Sequence, residues 1–178
     1  ITLKLYMEDF DGKLIQESVF QVVSIATTTG FLTANYSNWP LFVPILLLFA
    51  AFIGACAGST GGGIKVIRTL ILAKQSASEI TKIIHPNAVT SVKVGKKAVD
   101  SRVAEPIWGF FSIYVIVFII LFMFLLAQGN DFITSFSAVG ATINNLGPGL
   151  GEVSTNYQSL SDLSKSGLCL AMILGRLE

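Results

Sequence analysis

Ile25-Ala26-Thr27-Thr28-Thr29-Gly30-Phe31 and Ala141-Thr142-Ile143-Asn144-Asn145-Leu146-Gly147-Pro148 each end a short apolar stretch in a small-residue turn centred on a glycine. The stretches leading into them, residues 14–26 and 131–141, fall short of the roughly 20 apolar residues that cross a bilayer. Each is followed by a longer apolar run. The pattern predicts two re-entrant dips into a membrane, a way of bringing polar backbone to membrane depth.

Composition supports a membrane setting. The chain has 178 residues, 52% of them hydrophobic and 13% charged, with a mean hydropathy of +0.69; soluble domains carry about 25% charged residues. Residues 39–57 and 104–127 are almost free of charge and carry Trp39 and Trp108 near their starts, as interfacial anchors do. Eight of the twelve Lys and Arg residues lie between Lys65 and Arg102, namely these two with Arg68, Lys74, Lys82, Lys93, Lys96 and Lys97, against only Glu79 and Asp100. The positive-inside rule puts this stretch in the cytoplasm. The outer side then receives the opening segment, with Glu8, Asp9, Asp11 and Glu17, and residues 128–162, which hold three carboxylates and no Lys or Arg.

Other chemistries find little support. Cys56 and Cys169 sit in apolar sequence and read as small core residues, and the single His85 makes no zinc site by itself. No nucleophile with a base and no metal cluster is apparent, so no catalytic residue is assigned and the chain reads as a non-enzyme. The last residues break off within a helical pattern, which reads as a fragment of a longer membrane protein.

The order of span, dip, glycine turn and span occurs once in full over residues 104–178 and once without its first span over residues 1–75, with residues 76–103 as a basic linker. Such self-similarity marks internal repeats. Ordinary buried helices capped by glycine are the alternative reading of the dips. Non-helical backbone at membrane depth must be buried in protein or line a water-filled path. Carbonyls aimed along such a path can replace the hydration shell of potassium without a fixed negative charge. Glycine reaches the required positive φ at least cost, which singles out Gly30 and Gly147. The short helix before each turn aims the negative end of its macrodipole the same way. Neither turn contains the carboxylates that a tight divalent site wants.

Gly58-Ser59-Thr60-Gly61-Gly62-Gly63-Ile64-Lys65 fails as a phosphate-binding loop, because Ile64 rather than Lys follows the last glycine and no strand precedes it. Three consecutive glycines disfavour helix by about 1 kcal/mol each, so the apolar run should break here. A flexible exit from the span is the plain alternative. Counted from Trp39, Ala57 lies about 28 Å along a helix, which puts the break near the inner surface, whereas a helix that begins after Pro44, or tilts, would place it deeper. Arg176 closes an apolar helix, where a charge must face protein or water, or snorkel at the helix end.

The segments 21–31, 52–68, 144–151 and 175–178 together resemble, in order, the third and fourth pore units of the TrkH branch of the Trk/Ktr/HKT superfamily. The resemblance implies an all-α membrane protein built of helix, re-entrant pore loop, helix repeats. Four such units on one polypeptide surround a potassium pathway, and this chain would supply two. It further implies a potassium filter at Thr27, Thr28, Thr29 and Gly30 and at Asn144, Asn145, Leu146 and Gly147. With one glycine per loop, potassium would be preferred with weaker exclusion of sodium. Gly61, Gly62 and Gly63 would form an intramembrane gating loop that Arg176 contacts. The implied partners are the lipid bilayer, the other two pore units, a second copy in a homodimer and a cytosolic nucleotide-binding ring of the TrkA type docking on the basic linker, in a bacterial inner membrane and with no nucleic acid. A non-conducting scaffold that uses its glycines for helix packing is the competing reading.

Overall fold

The computed structural model describes residues 12–40, 42–86, 93–95, 97–98 and 101–176. Of the residues weighed above, Glu8, Asp9, Asp11, Lys96, Asp100, Leu177 and Glu178 lie outside these, as do the side chains of Lys97 and Arg102.

Among the described residues, six α-helices follow in chain order: α1 (Gly12–Ala26), α2 (Phe42–Ile53), α3 (Val66–Ile84), α4 (Ser101–Ala127), α5 (Phe132–Ile143) and α6 (Asp162–Arg176). Two strands, β1 (Lys93–Val94) and β2 (Lys97–Ala98), pair antiparallel in the basic linker, a small hairpin that the sequence did not suggest. Each terminus has a local cause. Helix α1 stops where three β-branched threonines begin. Helix α5 starts on Asp131, whose carboxylate accepts the Ile133 N–H at 3.2 Å. Ser161 caps α6 in the same way, its hydroxyl accepting the Ser164 N–H at 3.2 Å.

Only α4, among the described residues, is long and apolar enough to cross a membrane, over Val103–Ala127. Its 27 residues reach about 40 Å. Residues 39–57 do not form the full span expected of them. A one-turn 3-10 helix at Tyr36–Asn38 and Pro40 delay the start, and Gly54, at φ +72°, stops α2 after 12 residues, about 18 Å.

Helix α5 is the centre of the fold, with every residue from Ser137 to Ile143 buried. Phe136 on α5 meets Phe118 on α4 edge-on with ring centroids 5.2 Å apart, and Phe118 meets Phe52 of α2 at 5.5 Å. This aromatic seam joins the two units. A second cluster packs Leu125 of α4 and Leu168 of α6 against Ala138 and Val139. Small residues on α5 let its neighbours approach on all sides, as helix packing in membranes requires.

Candidate functional site

The two short helices end in the same way, residue for residue. After α1, the Thr28 N–H donates to the Ile25 carbonyl at 3.0 Å and the Thr29 N–H to the Ser24 carbonyl at 2.8 Å. After α5, Asn145 donates to Thr142 at 3.0 Å and Leu146 to Ala141 at 2.8 Å. Both are Schellman termini, whose turning residue is left-handed. That residue is not the glycine: it is Thr28 at φ +53° and Asn145 at φ +52°. Gly30 (φ +80°) and Gly147 (φ +102°) follow two residues later, so they extend the turn rather than cap the helix. Positive φ on a β-branched threonine is an outlier that surrounding structure must hold. Here the Gly62 N–H donates to the Thr28 hydroxyl at 3.1 Å.

Gly62 belongs to the glycine loop. The Ile64 N–H returns to the Phe52 carbonyl at 3.0 Å and the Val66 N–H to that of Ala55 at 3.2 Å. Residues 54–63 therefore leave the helix end and come back to it before α3 begins. Their neck is built from glycine: a Cβ on Gly54 would strike the Gly62 carbonyl, and one on Gly63 would come within 2.7 Å of the Ala51 carbonyl. The loop thus lies against the ends of the two short helices.

The last carbonyls of α5 have no partner within the helix. Three carbonyls in this stretch each meet a glycine from elsewhere. A Cβ on Gly175 of α6 would collide with the Ile143 oxygen, one on Gly62 with the Asn144 oxygen, and one on Gly30 with the Leu146 oxygen. The negative end of α5 is therefore enclosed by α6, the glycine loop and the first turn, at distances that no larger residue permits. Next to Gly175, the Arg176 guanidinium donates through Nη1 to the Thr60 carbonyl at 2.5 Å. The Arg176 charge at this end of α6 is thereby tied to the glycine loop.

Hydroxyl groups hold the chain beyond the second turn. Ser137 on α5 accepts the Leu150 N–H at 2.8 Å. Tyr157 donates to the Gly147 carbonyl at 2.6 Å, and Tyr36 to the Gly149 carbonyl at 2.8 Å, so the loop after the first turn fastens the loop after the second. Burial pushes the Tyr36 phenol from 10.0 up to about 12, and that of Tyr157 further in the same direction, with the neighbouring Tyr36 adding to it. A raised phenol stabilises the fold fully below its ordinary value and ceases to do so as pH rises through the raised one. Tyrosinate absorbance should therefore appear between pH 10 and about 12 together with loss of structure. Tyr36→Phe should lower stability by about 1 kcal/mol in thermal melting and remove part of that step; melting unchanged in Tyr36→Phe would refute the role.

All twelve residues singled out in the sequence lie in this one region. Thr27–Gly30 and Asn144–Gly147 form the facing turns, Gly61–Gly63 the loop against them, and Arg176 the tie to that loop. One expectation is corrected: Cys56 and Cys169 are free and exposed rather than core residues, since Cys56 falls in the loop and Cys169 on an open face of α6. Two glycines were missed in their role, Gly54 and Gly175. Their signal is a glycine at the end of an apolar run, which sequence alone cannot tell from flexibility.

Against known proteins, the chain matches the family described as TrkH, cation transport protein, over residues 4–178. It is 50% identical over 173 residues to the Trk system potassium uptake protein TrkH of Vibrio parahaemolyticus serotype O3:K6, covering 97% of this chain and 35% of that protein. With the Escherichia coli K12 protein of the same name it shares 52% identity over 164 residues, 92% of this chain and 34% of that one. The crystal structure of the potassium transporter TrkH from Vibrio parahaemolyticus matches the fold with a TM-score of 0.89 at 48% identity, over 99% of this chain and 38% of that chain. The chain thus spans about a third of the length of the relatives it matches.

Proposed function

Because the chain belongs to the TrkH family of cation transport proteins, we propose that it forms two adjacent units of a potassium pathway. Residues 1–75 are the third pore unit without its first helix, residues 76–103 a cytoplasmic linker, and residues 104–178 the fourth unit. The observation that carries this reading is the pair of matched helix termini, whose turns meet where Gly30 touches the Leu146 carbonyl. A packing scaffold has no need for two identical left-handed turns to face each other. Thr27–Gly30 and Asn144–Gly147 act as filter segments that offer neutral carbonyls to a dehydrated potassium ion, the transported substrate. Gly61–Gly63 and Arg176 obstruct the path on the side of the helix ends.

The remaining two pore units complete the ring, and the membrane is a bacterial inner membrane with residues 65–102 in the cytoplasm. The basic linker is the docking surface for a nucleotide-binding ring of the TrkA type, and the transporter works as a homodimer. The relatives' names support a Trk transport system, their length leaves room for the further units, and the cationic excess of the linker supports its cytoplasmic placement. In liposomes that hold the complete transporter, isotope uptake should favour potassium over sodium by roughly tenfold, below the strictness of a filter with two glycines per loop. Equal uptake of the two ions would overturn the reading.

A further inference from the structure

We propose that Tyr114, midway along α4, is a positioning residue that sets ion selectivity by holding Asn144; this rests on the filter reading above. A phenolic hydroxyl in a membrane span needs a partner within the protein. Tyr114 donates to Asn144 Oδ1 at 2.7 Å. Asn144 is fully buried at the end of α5. Its Nδ2 donates to the Gly140 carbonyl at 2.8 Å, which leaves Oδ1 to accept from Tyr114 and fixes the amide in one orientation. Both ends of the side chain are thus committed, one to its own helix and one to α4. The main-chain carbonyl of the same residue lies against Gly62.

The corresponding residue of the other turn, Thr27, is anchored locally. Its hydroxyl donates to the Val23 carbonyl at 2.6 Å and pairs with the Thr29 hydroxyl at 2.8 Å. The side chain at this position is therefore held within its own turn in one case and by a separate helix in the other. The Tyr114 ring is itself fixed, by Phe110 with centroids 6.1 Å apart and edge-on by Phe52 at 6.5 Å. Phe52 sits at the neck of the glycine loop, where its carbonyl receives the Ile64 N–H. Without the hydroxyl, Asn144 can turn about its side chain, and the carbonyls of Asn145 and Leu146 lose a fixed direction. Potassium, which needs close carbonyl replacement of its water, then loses its advantage over sodium.

The test is Tyr114→Phe in the complete transporter in liposomes, with potassium and sodium uptake measured side by side. The potassium preference should fall by about fivefold, the scale of one neutral hydrogen bond, in a protein that still inserts and purifies as a folded species. In an Asn144→Thr background, where a hydroxyl can bond its own helix as Thr27 does, Tyr114→Phe should change nothing further. An unchanged preference in Tyr114→Phe, or an additive loss in the double variant, overturns the proposal. Gly147→Ala separates the two readings. If it lowers the preference while Tyr114→Phe does not, only Tyr114 is misassigned; if neither variant moves it, the filter reading fails and this proposal with it.

Discussion

Potassium uptake through Gly30→Ala is expected to fall at least about thirtyfold. Two independent effects combine at this position. The backbone has φ +80°, where a side chain is strained by about 1–2 kcal/mol. The new methyl group would also occupy the space of the Leu146 carbonyl oxygen. That oxygen belongs to backbone held by the Ala141 hydrogen bond, so it cannot move aside as a flexible side chain would. Relief requires the two turns to separate, and separation of more than 2 kcal/mol in cost corresponds to about thirtyfold or more. Gly147→Ala is the informative comparison. Its φ of +102° is as demanding, yet nothing lies within 4 Å of the added methyl, so its loss should be smaller. Gly109→Ala, within α4 and equally open, should leave uptake and folding intact. A Gly30→Ala protein that inserts, purifies as a folded species and transports normally would sink the idea that the meeting of the turns matters.

Arg176→Ala should act in the opposite direction and raise basal uptake by about tenfold. The guanidinium ties α6 to the Thr60 carbonyl, and a hydrogen bond from a charged donor contributes about 1.5–3 kcal/mol. Arg176 is exposed, so the lower end applies; this corresponds to about a tenfold shift between held and released loop. On the proposed pathway, removing a positive charge adds to the effect, because cations no longer meet it. Shortening Gly61–Gly63 should do likewise, since Gly62 both covers the Asn144 carbonyl and donates to Thr28. Thr60→Ser keeps the main-chain acceptor and should leave uptake unchanged, which distinguishes a backbone tie from a side-chain effect. Isotope uptake reads all three. Equal or lower flux in folded Arg176→Ala would rule out a restraining role.

The loop and the arginine also show how the two effects share one structure. Gly175 lets α6 touch the Ile143 carbonyl, and this close approach is what brings the next residue within reach of Thr60. A bulkier residue at 175 would push α6 outward and free the loop even with Arg176 present. The glycine loop and α6 are thus joined through consecutive carbonyls of a single helix end, those of Ile143 and Asn144.

The sequence by itself determined a good deal. Hydropathy marked α4 as a span and α5 as too short for one, the charge distribution marked the linker, and the Thr-rich and Asn-rich turns located both helix ends to within a few residues. Gly30 and Gly147 were legible because positive φ is a local preference of glycine. The triple glycine was legible as a break for the same reason. Arg176 stood out because an apolar helix seldom carries a charge. Each of these follows from the residue and its immediate neighbours.

The tertiary structure alone decided the rest. That Thr28 and Asn145, not the glycines, make the left-handed turns depends on support from outside the turn; for Thr28 this is a hydrogen bond from Gly62, 34 positions away. That the glycine loop lies against the helix ends depends on α2 stopping at Ile53 and on Ile64 returning to Phe52. Tyr114 carried a signal in its hydroxyl, but nothing in the sequence named Asn144 as its partner. Glycines 30, 62 and 175 look alike on the page, yet each admits a different carbonyl of one helix end. Local backbone preference is written in the residue itself, whereas the partner of an exposed carbonyl is fixed only when segments far apart in the chain are packed together.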